Sequence, residues 1–463
     1  MIPIDILPDD VLLAIFDFYV KEDQFTGQGI EAWESLVHVC QRWRSVVFGS
    51  PRHLNLRLLC TPGTPRAMLD VWPALPLVVR GYVLRSDIYN VIAVLQRSDR
   101  VCRIDLHYIS RSQTKKLWEA MLEPFPELAH LKLSCTATGQ DVPDSFLGGS
   151  APRLQYFLLS GIPFPGLPKL LLSTTHLVTL SLFDIPHSGY FSPEAIVTSL
   201  SRNTNLNMLS LGFQSPSSRP DPESRPPLSP IRTVLPALTY FDFTRGTSEY
   251  LEDLVARIDA PRLNHFHVTL FHQFDLDTPQ LVRFIGRTPT LKVHDEAHVV
   301  MDSGTVKTRL QSRTTGHDRE QLKIELLFGE SDLQLSSLPR VSASFLPSLS
   351  MVESLYIYEN QFIQVDWEDE IQVENTEWLD LLYPYTAVKN LYLSKVLGPG
   401  IVRALQESIE GRTTVVLPTL QTVFLEGLQH SGPLREDIEQ FVAARQISGY
   451  PCAISLWNGA GRF

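Results

Sequence analysis

At 463 residues the chain is too long for one ordinary domain, leaving two to four domains or one long repeat array. With 44% hydrophobic and 20% charged residues it can bury a large core, which excludes an intrinsically disordered chain. The formal net charge is −11 and Lys and Arg are scattered along the sequence, so the electrostatic footprint of a nucleic-acid-binding protein is missing.

The first residues carry Asp5, Asp9 and Asp10 in place of a basic segment before an apolar one, and no window of about 18 uncharged apolar residues follows anywhere. The expectation is no signal peptide, no membrane span and no membrane partner. Ile6-Leu7-Pro8-Asp9-Asp10 predicts a helix beginning near Pro8, because a first-turn proline lacks only a donor that has no partner there, and early carboxylates oppose the helix dipole. Val11, Leu12, Ile15, Phe16 and Tyr19 then recur at helical spacing, and the polar stretch Lys21 to Gly29 predicts a loop. Gly27-Gln28-Gly29-Ile30-Glu31-Ala32 fits a loose nucleotide fingerprint, but no strand precedes it, so it too is expected to be loop. A second helix carries Leu36, Val37, Cys40, Trp43 and Val47, with Arg42 and Arg44 beside them, and stops at Gly49-Ser50-Pro51. Fifty residues in short helices bury two apolar stripes poorly against each other, so one of them needs a partner surface or the downstream chain.

These residues carry a resemblance. Leu7-Pro8-x-x-Val11-Leu12-x-x-Ile15-Phe16, then Val39-Cys40-Gln41-Arg42-Trp43 and a closing Ser50-Pro51, resemble the F-box motif over residues 4–52. The resemblance implies a substrate-recognition adaptor of an SCF-type (Skp-cullin-F-box) ubiquitin ligase. In this chain Leu7, Pro8, Val11, Leu12, Ile15, Phe16, Leu36, Val39, Cys40 and Trp43 would then contact or support the surface that docks on the Skp-type linker, and through it on a cullin. One departure is the stretch Lys21 to Leu36, longer than the turn that usually closes the motif.

Beyond residue 53, a pattern Leu-x-x-Leu-x-Leu, with other apolar residues substituting, starts at Val101, Leu128, Leu154, Leu177, Leu206, Leu238, Leu263, Val352, Val388 and Leu420. Apolar residues at period two predict a half-buried strand in each repeat. Helical spacing returns between strands, at Glu194 to Leu200, Tyr250 to Ile258, Gln280 to Ile285, Ile401 to Ile409 and Ile438 to Ala444. A strand and one helix enclose no core, so neighbouring units must stack. The pattern resembles the leucine-rich-repeat horseshoe. Its ninth position, where that family favours Asn or Cys, holds Ile109, Thr136, Ile162, Ile185, Gln214, Gly246, Phe271, Val396 and Leu428, and only Asn360 conforms. The turns must therefore satisfy their backbone by other means, which predicts irregular repeats. The pattern lapses between about 289 and 350, where an excursion is expected, and the Pro/Ser-rich residues 214–230 predict a surface loop.

Candidate chemistry is sparse. His294-Asp295-Glu296-Ala297-His298 has its Glu one place too late for the zinc-protease motif, and in a strand its histidines stand roughly 13 Å apart, so surface histidines are expected. His265 and His267 should face outward from their strand, with His272 beyond them, and they imply no third metal ligand. Asp366 to Glu370, with Glu374 and Glu377, lacks the alternating oxygens of a calcium loop. Cys40, Cys60, Cys102, Cys135 and Cys452 form no C-x-x-C pair and are odd in number, which points to a reducing compartment, cytoplasmic or nuclear. No nucleophile elbow or phosphate loop appears, so no enzyme, cofactor or metal is expected.

The sequence thus predicts an α/β chain: a helical F-box over residues 1–52, then an irregular leucine-rich-repeat-like solenoid over 53–463, with parallel strands on one face and helices on the other. The solenoid would bind a protein substrate through its exposed face. The alternative is a leucine-rich protein-interaction scaffold unconnected with ubiquitin, its first helices serving as a cap.

Overall fold

A computed structural model describes residues 6–26, 32–64, 69–70, 74–84, 86–215, 232–271, 278–292, 294–302, 305–312, 320–327, 349–360, 375–411, 415–427 and 433–459. They fall into two units, the first of residues 1–191 and 202–206, the second of 192–201 and 207–463. Among the described residues no helix is long and apolar enough to cross a membrane.

The first unit opens with three helices: α1 (Asp9–Thr26), α2 (Ala32–Val37) and α3 (Gln41–Gly49). Helix α1 starts one residue after Pro8, with Asp9 and Asp10 in its first turn, as their dipole-opposing charge predicts. It runs on through the expected loop at Lys21 as far as Thr26, while Gly27 to Glu31 lie outside the described residues. The predicted second helix is two. The backbone is free of helix at 38–40, and Cys40 is the N-cap of α3, its sulfur accepting from the Trp43 amide at 3.4 Å. A capping residue has extended φ/ψ, which ends the helical register carried by Leu36 and Val37.

Strands and helices then alternate: β1 (Leu58–Cys60), β2 (Leu77–Tyr82), α4 (Ile88–Leu95), β3 (Val101–Ile109), α5 (Arg111–Ala120), β4 (His130–Cys135), β5 (Tyr156–Ser160), α6 (Leu167–Leu171) and β6 (Thr179–Ile185). The strands lie parallel in chain order. Register puts the leucine pattern in rows: Ile104, Leu131, Phe157 and Leu180 are neighbours, as are Leu106, Leu133, Leu159 and Leu182, and all eight are buried. Each such side chain contributes about 1.5–3 kcal/mol by leaving water.

The second unit contains α7 (Pro193–Leu200), β7 (Met208–Phe213), β8 (Thr233–Val234), β9 (Tyr240–Gly246), α8 (Ser248–Ala256), β10 (Ile258–Asp259), β11 (His265–Phe271), α9 (Pro279–Arg287), β12 (Glu296–Asp302), β13 (Thr305–Gln311), β14 (Glu320–Leu327), β15 (Ser354–Glu359), α10 (Asn375–Leu382), β16 (Asn390–Leu393), α11 (Gly398–Gly411), β17 (Thr422–Glu426), α12 (Pro433–Ile447) and β18 (Ala453–Trp457). All ten predicted repeat starts lead into strands, and all five predicted helices form, the one expected to reach Ile258 ending at Ala256 with Ile258 in β10. The main sheet of this unit runs β7-β9-β11-β14-β13-β12-β15-β16-β17-β18, while β8 and β10 form a separate parallel pair. The lapse at 289–350 contains a three-stranded excursion, β12 pairing antiparallel with β13 and β13 with β14. One inward row crosses it without a break: Leu209, Phe241, Phe266, Leu322, Leu310, Ala297, Leu355, Leu391 and Val423, every one buried.

Most repeats end without the asparagine ladder, and the backbone supplies a substitute. The residue before the ninth position has a left-handed φ in five repeats: Tyr108 (58°), Gly161 (69°), Asp184 (50°), Arg245 (58°) and Gly427 (65°). A single residue there kinks the strand, and after three of these kinks the apolar ninth residues Ile109, Ile162 and Ile185 are buried where a polar ladder would stand. Only glycine adopts this φ without steric cost, so Gly161→Val is expected to lower stability by about 1–2 kcal/mol. The nearest atom to an added Cβ is the Cys135 carbonyl at 3.6 Å, so the loss would come from backbone strain without collision. Urea unfolding reads it, and an unchanged midpoint would refute the assigned φ.

Candidate functional site

Helix α1 is apolar on two sides. Leu12, Phe16 and Val20, four apart, are buried, with Phe16 and Leu12 fully so. Phe16 packs its ring 4.7 Å from that of Trp43 on α3. Trp33 of α2 is also buried and donates its indole N–H to the Arg57 carbonyl at 2.9 Å, tying the helices to the chain that enters β1. Arg42 of α3 reaches the start of α1, pairing with Asp9 at 2.7 Å and donating to the Leu7 carbonyl, so Leu7 and Pro8 are held against α3. Arg44 donates to the Val37 carbonyl at 3.0 Å, satisfying an acceptor at the end of α2.

The other side of α1 faces solvent. Val11, Ile15 and Phe18, at i, i+4 and i+7, are exposed, Phe18 by 70%, and Tyr19 is exposed beside them. Ile6 and Val39 are exposed as well. The ten residues singled out by the sequence therefore separate. Leu12, Phe16 and Leu36 are buried, Leu7, Cys40 and Trp43 are half-buried, and Pro8, Val11, Ile15 and Val39 are exposed. Sequence reasoning passed over Phe18. Its signal was the second apolar stripe at 11, 15 and 18, which a helix buried on one side has no reason to carry.

The strand faces opposite the inward rows bear the polar groups. In the second unit His267 Nδ1 lies 2.9 Å from Asp242 Oδ1, and its Nε2 lies 3.8 Å from Glu325 Oε2 and 3.2 Å from Thr269 Oγ1. Burial works against a charged imidazole, but the two carboxylates outweigh it and hold the pKa of His267 above the usual value. Burial likewise opposes ionisation of Glu325, yet His267, Lys323 and Lys307 bring it down to about 2. A histidine whose folded pKa is raised contributes stability that is complete below its unfolded pKa and is lost as pH rises through the folded one. The stability difference between the parent and His267→Gln is thus expected to be largest below about pH 6 and to shrink as pH rises. Urea unfolding over a pH series checks this, and a difference growing with pH would contradict it.

The expectation that His294 and His298 lie on the surface is wrong, since both are buried. His294 Nε2 is 2.9 Å from the Leu291 carbonyl, and burial lowers its pKa. His298 stands outward on β12 but is covered by its neighbours: Nε2 is 2.6 Å from Gln311 Nε2, and the ring stacks on Tyr356 at 4.4 Å. Stacking continues along the register from Tyr356 to Tyr392 at 4.1 Å and from Tyr392 to Phe424 at 4.4 Å, with Trp457 lying 5.8–6.2 Å from Tyr356, Tyr358 and Tyr392. His272, residues 216–230 of the Pro/Ser-rich segment and Asp366 to Glu374 fall outside the described residues. Among the described residues no group of three or more His, Cys, Asp or Glu side chains could hold a metal.

No family model matches the chain, and no curated protein matches it. Among solved structures it is similar to the leucine-rich repeat-containing protein LegL7 from Legionella pneumophila, at 15% identity and a TM-score of 0.28, over 83% of this chain and 97% of that one.

Proposed function

We propose that the chain is a non-catalytic substrate-recognition adaptor of an SCF-type ubiquitin ligase, docking its first helices on a Skp-type linker and holding a protein substrate with the strand–helix array. The observation that carries this reading is the exposed stripe Val11, Ile15 and Phe18, with Val39, on helices whose opposite side is already closed by Leu12, Phe16 and Trp33. A water-facing apolar stripe on a helix that already has a core marks a surface for another protein. The adaptor does no bond chemistry. It raises the effective concentration of a substrate lysine near a ubiquitin-conjugating enzyme carried by the same assembly. A cytoplasmic or nuclear role follows from this reading.

The test is co-purification of the full chain with the Skp-type linker, beside a Leu7→Ala, Pro8→Ala double variant. Binding by the parent and its loss in the variant are expected, and a parent that binds no linker overturns the adaptor. The second reading is a leucine-rich interaction scaffold whose first helices cap the array. The contact from Trp33 to Arg57 favours it, because it joins those helices to the strand that follows.

A further inference from the structure

The outward faces of β2 to β5 gather charge of one sign in a chain whose net charge is −11. Arg80 on β2, Arg103 on β3 and Lys132 on β4 occupy adjacent register positions around Asp105, the one carboxylate on those four strands. Asp105 is 4% exposed, and its oxygens lie 3.4 Å from Arg103, 3.8 Å from Arg80, 3.9 Å from Lys132 and 2.8 Å from His107 Nε2. One buried anion thus fixes the positions of three permanent cations and leaves a surplus of two positive charges.

The surplus is accessible and not fully satisfied. The Arg80 side chain is 51% exposed, Arg103 35% and Lys132 31%. Buried Arg103 Nε and His130 Nε2 have no hydrogen-bond partner among the described residues, and they lie on neighbouring strands in register. Burial, aided by Arg103 and Lys132, lowers the pKa of His130 to about 4, so its ring is neutral at pH 7 and adds a polar atom without charge. His130 stacks on Tyr156 at 4.1 Å, which holds the ring in place, while Tyr82 and Tyr108 are exposed at the border. The exposed ends of Arg80, Arg103 and Lys132, held on rigid strands around one buried carboxylate, make a preorganised site for negative charge.

We infer that the outward face of β2 to β5 binds an extended acidic peptide segment of a partner protein, its carboxylate or phosphoryl groups seated between Arg80, Arg103 and Lys132. The inference deepens the adaptor reading by giving the substrate a chemical class, and it rests on that reading only in calling the partner a substrate. A peptide fits better than a nucleic acid, because three cations offset only a short run of phosphates while the rest of an acidic chain repels a long polyanion.

The experiment measures fluorescence anisotropy of a labelled Glu/Gly peptide, with and without phosphoserine, titrated with the full chain. A Lys/Gly peptide and a labelled single-stranded RNA serve as comparisons. Expected are saturable, salt-sensitive binding of the acidic peptides, none of the Lys peptide, and a loss of about tenfold for each of Arg80→Gln and Lys132→Gln. Arg153→Gln, which alters a cation of the turn before β5 already paired with Glu127, should change nothing. These two tested side chains are partly exposed, so the double variant should stay folded, as a thermal melt would show. Absence of saturable peptide binding, unchanged binding by the double variant, or tighter binding of RNA overturns the inference. Linker co-purification with the same variants keeps the two readings apart. A chain that binds peptide but no linker retains this site and loses the adaptor, whereas one that binds linker but no acidic peptide does the reverse.

Discussion

Ile15→Asp with Phe18→Asp is expected to weaken binding to a Skp-type linker roughly a thousandfold, because two central apolar anchors each contribute about 2 kcal/mol to such an interface. The same change should leave the unfolding free energy within about 1 kcal/mol of the parent, since both side chains already face water. Phe16→Ala supplies the contrast. Phe16 is fully buried against Trp43, so its truncation should cost about 3–5 kcal/mol and loosen the three helices before any binding is measured. The two experiments together separate contact from support, which the Leu7→Ala, Pro8→Ala pair alone cannot do, because Arg42 ties the Leu7 carbonyl into the helical core. Retained linker binding by a folded Ile15→Asp, Phe18→Asp chain would mean that the stripe is no docking surface and would favour the scaffold.

The same helix shows what a sequence does and does not disclose. Periodicity found α1 and its apolar residues, because a period of 3.6 is written in the chain. Which of two stripes turns inward is decided by what packs against them, and Trp43, at a distant position, packs on Phe16 of the stripe that also carries Leu12, leaving Val11 and Ile15 to solvent. In the array, period-two leucines located ten of the parallel strands, for an inward leucine in a stacked sheet has no polar substitute, but the pattern passed over β1, β2 and β18 at 58–60, 77–82 and 453–457. The excursion was legible only as a lapse: antiparallel strands need no helix between them, so the alternation that signals a repeat stops although the sheet continues. The left-handed residue before the ninth position escaped detection because Tyr108 and Arg245 are not turn formers, and the residue type there changes from repeat to repeat, so that Asp184, Gly161 and Gly427 form no common signature. The Asp105 cluster was invisible for another reason. Its members come from three strands, and only the register sets Arg80, Asp105 and Lys132 side by side.

Tyr356→Ala is expected to destabilise the second unit by about 3–5 kcal/mol, the cost of removing a large buried side chain and leaving its cavity. Tyr356 is 7% exposed although it stands on the strand face turned away from the helices, and the cover comes from rings in register: His298 on one side, Tyr392 on the other, and Trp457 at a tilt. Its loss removes two stacked contacts at once, each worth about 0.5–1.5 kcal/mol beyond area, and strips His298 of the ring that covers it. Tyr356→Phe keeps the stack and gives up only the hydroxyl, so it should cost about 1 kcal/mol. Urea unfolding followed by tryptophan fluorescence separates the two outcomes, because Trp457 packs on this ladder and reports its opening. If Tyr356→Ala were as mild as Tyr356→Phe, the stacked rings would contribute nothing to the fold. An array that stayed stable without them could spare these aromatic side chains for a partner. The expected large loss instead assigns them to the sheet itself and leaves the cationic face of β2 to β5 as the stronger candidate for recognition.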